Sequence, residues 1–260
     1  MPNETRDPGL KWRRGSAHFD GIEREWKEFT TAFHSQLAVV PKDDLVELRL
    51  QSFSDPPRTE WGLLIGDGVQ NFRAALDYMV WILASKQQRA DTPQSLEFPI
   101  FNDAANYAKG APPRIGSLPA AAQKVIGSVQ PFQQGAESAK SPLWQLHRLS
   151  NLDKHRRLHV GQVSLEAVTI DFKGTRVPTA WRAAPPAQRA QKRMLLAQIQ
   201  EAELRRHGPV GTVQFQPSAF LTIAFEDSEE VTGEGVLGTL RRIRDTVAEV
   251  LDQLDPFVNI

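Results

Sequence analysis

The 260-residue chain contains no cysteine. Disulfides, cysteine-bound zinc and a thiol nucleophile are therefore excluded. It also lacks net charge, because 31 Lys and Arg balance 31 Asp and Glu. No global field steers it to nucleic acid or to an anionic membrane, so any such binding must rest on a local patch. No apolar run reaches the length of a membrane span. Residues 1–15 are polar, contain Pro2 and Pro8, and have no apolar stretch of the kind a signal peptide needs. A glycine-rich phosphate loop, a GxSxG elbow and an HExxH pattern are all missing. These absences predict a cytoplasmic protein with no membrane partner, no metal and no cofactor.

With 40% hydrophobic residues, the chain can bury an ordinary core. Residues 1–15 read as a disordered leader, and 16–260 as a single domain. Phe19, Ile22, Trp26, Phe29, Phe33 and Leu37 recur at helical spacing, with Ser16 as an N-cap. Val46, Leu48 and Leu50 alternate with Glu47, Arg49 and Gln51, the period of a half-buried strand. From about Glu60 to Lys86, the positions Trp61, Ile65, Val69, Phe72, Leu76, Met79 and Leu83 form one helical stripe. Residues 90–115 read as irregular, with Phe98-Pro99-Ile100-Phe101 pinned onto the core. Shorter helices are predicted over 119–129 and 142–156, the latter opened by Pro142. A long strand is predicted from His159 to Phe172, a basic helix over 185–206, a hairpin over 211–226 and a closing helix from Val236 to Phe257. The fold class is α+β: a bundle of four or more helices packed with a small antiparallel sheet.

Two segments could carry chemistry. In the helix over 66–81, Asp67, Gln70, Asn71, Arg73 and Asp77 share a side with Ala74, Tyr78 and Trp81. A solvated face rarely has that composition, so these polar groups should be partly buried and paired. Arg73 and Asp77 are four apart and can pair directly. The second segment runs from Leu146 to His159. His147, Asn151 and His155 share a helix face there, while Arg148, Lys154, Arg156, Arg157 and His159 make it basic. His147 and His155 are two turns apart, too far to share a metal ion. Histidine beside arginine suits phosphate binding or general acid chemistry instead. The basic stretch from Arg182 to His207 reads as a solvated face.

Four motifs carry a family resemblance: Gly66-Asp67 through Tyr78, Phe98 to Phe101, Gln130-Pro131-Phe132, and Pro142-Leu143-Trp144 through Arg156. Over about residues 45–160 the chain resembles a family of uncharacterised bacterial proteins with GDxxHNLRSALDH, FPIF, QPF and PLWxLxxLNxxDKHR signatures. That resemblance implies no particular activity. The first helix is also similar to the HEPN superfamily of helical bundles, whose nucleases pair an R-x4–6-H motif across a dimer at an RNA phosphate. Arg73 matches the arginine of that motif. Gln70 and Tyr78 stand where the family has histidines, and Ala74 follows the arginine. Arg148 to His155 also fits R-x6-H.

The resemblance implies a HEPN-like protein that binds RNA, a nucleotide or another phosphate-bearing ligand, as a homodimer, with degenerate or absent nuclease activity. Arg73 and His155 would be its catalytic pair. Asn71, Asp77, Asp153 and Arg156 would bind or orient the ligand. In a structural alternative, the same residues form a buried packing network, with Asp67 and Asp77 paired to Arg and His of the second helix, and the protein acts as an interaction partner. A small-molecule enzyme is a third reading, for which the chain offers no nucleophile or cofactor motif.

Overall fold

The computed structural model describes residues 7–35, 37–50, 58–155, 160–172, 175–178, 182–183, 195–200, 202, 216–225 and 235–258. The chain is α+β, a helical bundle with antiparallel sheet. Its helices are α1 (Pro8–Ser35), α2 (Arg58–Leu83), α3 (Lys86–Asp91), α4 (Ala104–Gly110), α5 (Pro112–Ile115), α6 (Ala120–Ser128), α7 (Pro142–His155) and α8 (Val236–Leu254). Its strands are β1 (Leu37–Lys42), β2 (Leu45–Leu50), β3 (Val160–Phe172), β4 (Thr175–Pro178), β5 (Arg182–Ala183), β6 (Leu195–Gln200) and β7 (Gln216–Phe225). No helix among the described residues is long and apolar enough to cross a membrane.

Contacts divide the chain into two compact units. One comprises Met1–Glu23, Arg58–Gly161 and Ala224–Ile260; the other comprises Arg24–Pro57 and Gln162–Ile223. Each is assembled from discontinuous stretches of the chain, which is why the sequence reads as one domain.

The first unit is helical. Trp61, Ile65, Val69, Phe72, Leu76, Met79 and Leu83 of α2 are all buried, as their helical spacing predicts. In α8, Val236, Leu240, Ile243, Val247, Val250 and Leu254 do the same. Leu143, Leu146 and Leu149 complete the core from α7, and α2, α7 and α8 pack on one another. Each large apolar side chain removed from water contributes roughly 1.5–3 kcal/mol, so these stripes dominate the unit's stability. The closing helix ends at Leu254, and Asp255–Phe257 forms a 3-10 turn.

Helix α1 begins at Pro8, so the polar composition of 8–15 does not make them an irregular leader. Trp12 fixes this turn by donating its indole N–H to the Arg244 carbonyl at 3.1 Å. The Phe19 ring meets Phe72 edge-on, with centroids 5.0 Å apart. That approach requires Gly68, where a Cβ would overlap the Phe19 ring.

Between α3 and α4 the chain runs extended. Leu96, Phe98, Pro99 and Ile100 are buried, while Glu97 and Phe101 are not. Among the described residues no strand pairs with it. Buried backbone groups still need partners, and three side chains supply them. Asp77 accepts from the Phe98 N–H at 2.8 Å and Arg73 donates to the Phe98 carbonyl at 2.7 Å. Gln130 accepts from the Phe101 N–H at 3.0 Å and donates to the Pro99 carbonyl at 2.8 Å. Pro99 has no N–H to satisfy. The pinning expected for residues 98–101 is thus achieved by a polar clasp as well as by apolar burial.

The second unit contains a sheet of order β1-β2-β6-β5, and the other sheet has the order β4-β3-β7. The α1 helix ends at Ser35, two residues before its apolar spacing does, and Leu37 opens β1 instead. A tight turn at Asp43, in the left-handed region with φ 51°, joins β1 to β2. Within the predicted helix over 185–206, Leu195–Gln200 is a strand that pairs with β2, and of the other positions only 202 is described, as helix. Over 195–200, pairing overrides a weak helical pattern. The predicted hairpin over 211–226 is a single strand, Gln216–Phe225, in its described part.

Glu47 departs from the alternation expected of β2, since it is only 1% exposed next to an equally buried Val46. Arg49 pairs with its carboxylate at 2.6 Å and Gln198 donates to it at 2.9 Å. Burial pushes the carboxyl up, but these hydrogen bonds and the charges of Arg49 and Lys42 outweigh it and hold it below its ordinary value.

Candidate functional site

The clasp forms one wall of a cavity of about 500 Å³ in the helical unit. Helix α2 contributes Arg73 and Asp77 to the lining, and the extended segment contributes Glu97, Phe98, Ile100, Phe101 and Asn102. Asn106, Lys109 and Arg114 come from α4 and α5, while Trp144, His147, Ser150, Asn151 and Lys154 come from α7.

The charges follow a pattern. Arg73 pairs with Asp77 at 3.2 Å and approaches Glu97 at 3.6 Å. Glu97 also pairs with Arg114 at 2.5 Å. The Arg114 guanidinium lies 5.5 Å from the centre of the Phe101 ring. Two acids and two arginines thus compensate one another. Lys109 and Lys154 line the same cavity, are exposed, and have no ion-pair partner among the described residues.

Burial raises the Asp77 carboxyl above its ordinary value, against the charge of Arg73 and the hydrogen bond from Phe98. Arg73 itself is nine-tenths buried. Its Nη2 serves the clasp, and its Nη1, sealed from solvent, has no hydrogen-bond partner.

His147 is pushed down to about 4, first by burial and then by the charge of Arg73, with Arg148 and Lys154 adding to the effect. Its imidazole is neutral at pH 7. The ring stacks on Trp144 at 5.3 Å, and its Nε2 lies 3.0 Å from Asn151 Nδ2. The side-chain amides of Asn102 and Asn106 make no hydrogen bond among the described residues. Such groups can hold an anion, offer amide donors and acceptors to a polar edge, and present an aromatic surface.

Of the residues singled out from sequence, the structure brings Arg73 and Asp77 together at the cavity. Asn71 is elsewhere, donating to the Asp67 carbonyl one turn back at 2.7 Å. Asp153 is also outside the lining. It accepts from Gln70 at 3.1 Å and lies against Gly66, where a Cβ would overlap its carboxylate. Gln70 also donates to the Ser150 carbonyl at 2.9 Å, so this cluster ties α2 to α7. Neither Asn71 nor Asp153 orients Arg73. The His155 side chain and Arg156 lie outside the described residues. Asp77 pairs within its own helix and with the extended segment, and the Lys154 charge of the second helix acts on it from beyond ion-pair distance; a pairing with His155 or Arg156 falls outside the described residues.

Sequence reasoning missed Lys109, Arg114, Glu97 and Trp144, and it named His147 and Lys154 without assigning them to a site. His147, Asn151 and Lys154 share a helix face, which was a usable signal. Nothing in the irregular stretch 90–115 marked Lys109 or Arg114.

Among the described residues, no three potential ligands cluster as a metal site would require. Comparison with protein-family models, curated proteins and solved structures finds no match to this chain.

Proposed function

We propose that the cavity beside the α2 clasp binds an anionic, phosphate-bearing ligand, RNA and nucleotides included, without cleaving it. The observation that carries this reading is the charge balance of the lining. Asp77 and Glu97 are already answered by Arg73 and Arg114, so Lys109 and Lys154 are in excess. Uncompensated lysines around a concave site attract and hold anions. Binding without cleavage follows from the residues available. Tyr78, at the position of the resembled family's histidine, is not part of the lining, and the Lys11 ammonium lies 5.7 Å from its ring centre. A tyrosine is in any case a poor general base at neutral pH. A cytoplasmic location suits a cysteine-free chain binding such a ligand, and a homodimer is the assembly that the resemblance implies.

Isothermal titration with pyrophosphate and with a short RNA tests the reading. At least one should bind, with an affinity that falls as salt rises. The double variant Lys109→Ala, Lys154→Ala should weaken it by about tenfold or more, the order of a lost charged contact. Absence of binding by both probes, or binding indifferent to the double variant, would sink the proposal.

The hydrogen bonds of Arg73 and Asp77 to Phe98 support a second reading, in which these two residues are structural and the chain acts through an interaction surface. Arg73→Met separates the two. It should lower stability in either case, but lower ligand affinity at a temperature where the variant is folded only if the cavity is a binding site.

A further inference from the structure

Resting on that phosphate-site reading, we propose that the ligand is a single nucleotide, a nucleoside 5′-monophosphate, and not a strand of RNA. Lining groups fall into two sets. Arg73, Asp77, Glu97 and Arg114 are committed to one another and to the backbone of the extended segment. The uncommitted set is Lys109, Lys154, Asn102 and Asn106; beside them lies the half-buried ring of Trp144, which carries His147 on one face.

These groups match the parts of a nucleotide one by one. Two lysines suit a phosphate dianion as point charges. An indole on the wall offers a stacking surface that any base can use. Free amides, each with donor and acceptor, suit the polar edge of a base. His147 lines the same cavity, stacks on one face of the indole and, being neutral, adds no charge that a base would have to meet.

Size and charge argue against a strand. The cavity of about 500 Å³ is of the scale that encloses one small molecule. A strand needs a track of cations following successive phosphates. On α8 of the same unit, Arg241 is paired with Glu23, and Arg244 with Asp20 and Asp245. Among the described residues, the two lysines at the cavity are enough for a single phosphate and too few for a track.

The test is titration of the full chain with the four nucleoside 5′-monophosphates, ribose 5-phosphate, inorganic phosphate and a 12-nucleotide RNA. At least one nucleotide should bind about tenfold or more tighter than ribose 5-phosphate, the low end of what base stacking on an aromatic ring contributes. Trp144→Leu should abolish that advantage while leaving ribose 5-phosphate binding unchanged, and Trp144→Phe should restore part of it. If Trp144→Leu does not fold, the exposed pair Asn102→Ala, Asn106→Ala gives the same readout, a loss confined to the base-dependent gain. Equal binding of nucleotide and ribose 5-phosphate overturns the inference and leaves the phosphate site standing. Tight RNA binding with no mononucleotide binding overturns it as well. If no probe binds, both readings fall.

Discussion

Gln130 is 1% exposed and both ends of its amide are used: it accepts from the Phe101 N–H and donates to the carbonyls of Pro99 and Ile126, the last at 3.0 Å. Gln130→Ala removes the partner of three backbone groups at once. If all three stayed dry, each would cost roughly 1–3 kcal/mol. The space left by the amide is polar and can admit a water, which recovers part of that loss. The expected destabilisation is therefore about 2–4 kcal/mol. With a urea m-value of roughly 2 kcal/mol/M, the midpoint should fall by about 1–2 M. Gln133 is the internal control. It is exposed and makes a single bond, to the Gly127 carbonyl at 2.9 Å, so Gln133→Ala should stay within about 0.5 kcal/mol of the parent. Gln130→Glu keeps the acceptor for Phe101 but sets a carboxylate against two carbonyls, so its loss should shrink as the pH is lowered and the new side chain regains a donor. Urea titrations followed by tryptophan fluorescence give the stabilities, and hydrogen exchange at the Phe101 amide reports on the segment itself. A Gln130→Ala variant no less stable than Gln133→Ala, with Phe101 exchange unchanged, would refute the claim that side chains substitute here for a neighbouring strand.

Arg73→Met should cost about 1–3 kcal/mol, because it leaves the half-buried Asp77 carboxylate without its cation and the Phe98 carbonyl without its donor; in a double-mutant cycle with Asp77→Asn, strictly additive losses would contradict the coupling. Gly68→Ala should destabilise by about 1–3 kcal/mol through overlap with the packed Phe19 ring, whereas Gly66→Ala should cost less, since the Asp153 carboxylate it meets can swing away. Thermal melts of the two variants in the reverse order would contradict that packing. The folded pKa of His147, about 4, lies below its ordinary value, so the unfolded chain takes up the proton first. The stability this residue contributes is thus fully present above pH 6.5 and is lost as pH falls toward 4. After solvent screening of a partly exposed ring, this is roughly 1–2 kcal/mol. His147→Gln should flatten the stability profile in that window, and an NMR titration placing His147 near 6.5 would refute the assignment.

Much of the fold is legible in short-range pattern. The stripes from Trp61 to Leu83 and from Val236 to Leu254 repeat at the period of a helix, and every one of those positions is buried. Periodicity is a local property, so a reader of the sequence can recover it. The helix at 8–15 and the strand at 195–200 were not recoverable in that way. The first is fixed by Trp12 reaching Arg244, and the second by pairing with β2, partners more than a hundred residues distant in the chain.

The candidate site divides along the same line. Composition and spacing established that Arg73 and Asp77 form an i,i+4 pair on a helix too apolar to be solvated, and that residues 98–101 belong on the core. They could not establish that the pair would hold the Phe98 backbone, because a buried polar group's partner depends on which distant backbone arrives beside it. Only the tertiary structure brought residues 97–114 to the cavity that α2 and α7 also line. That arrangement neutralised Glu97 with Arg114, left Lys109 and Lys154 in excess, and sent Asn71 and Asp153 elsewhere. The sequence by itself determined which residues were polar where polarity costs energy. The tertiary structure decided which of them are used up in holding the fold and which remain free to meet a ligand.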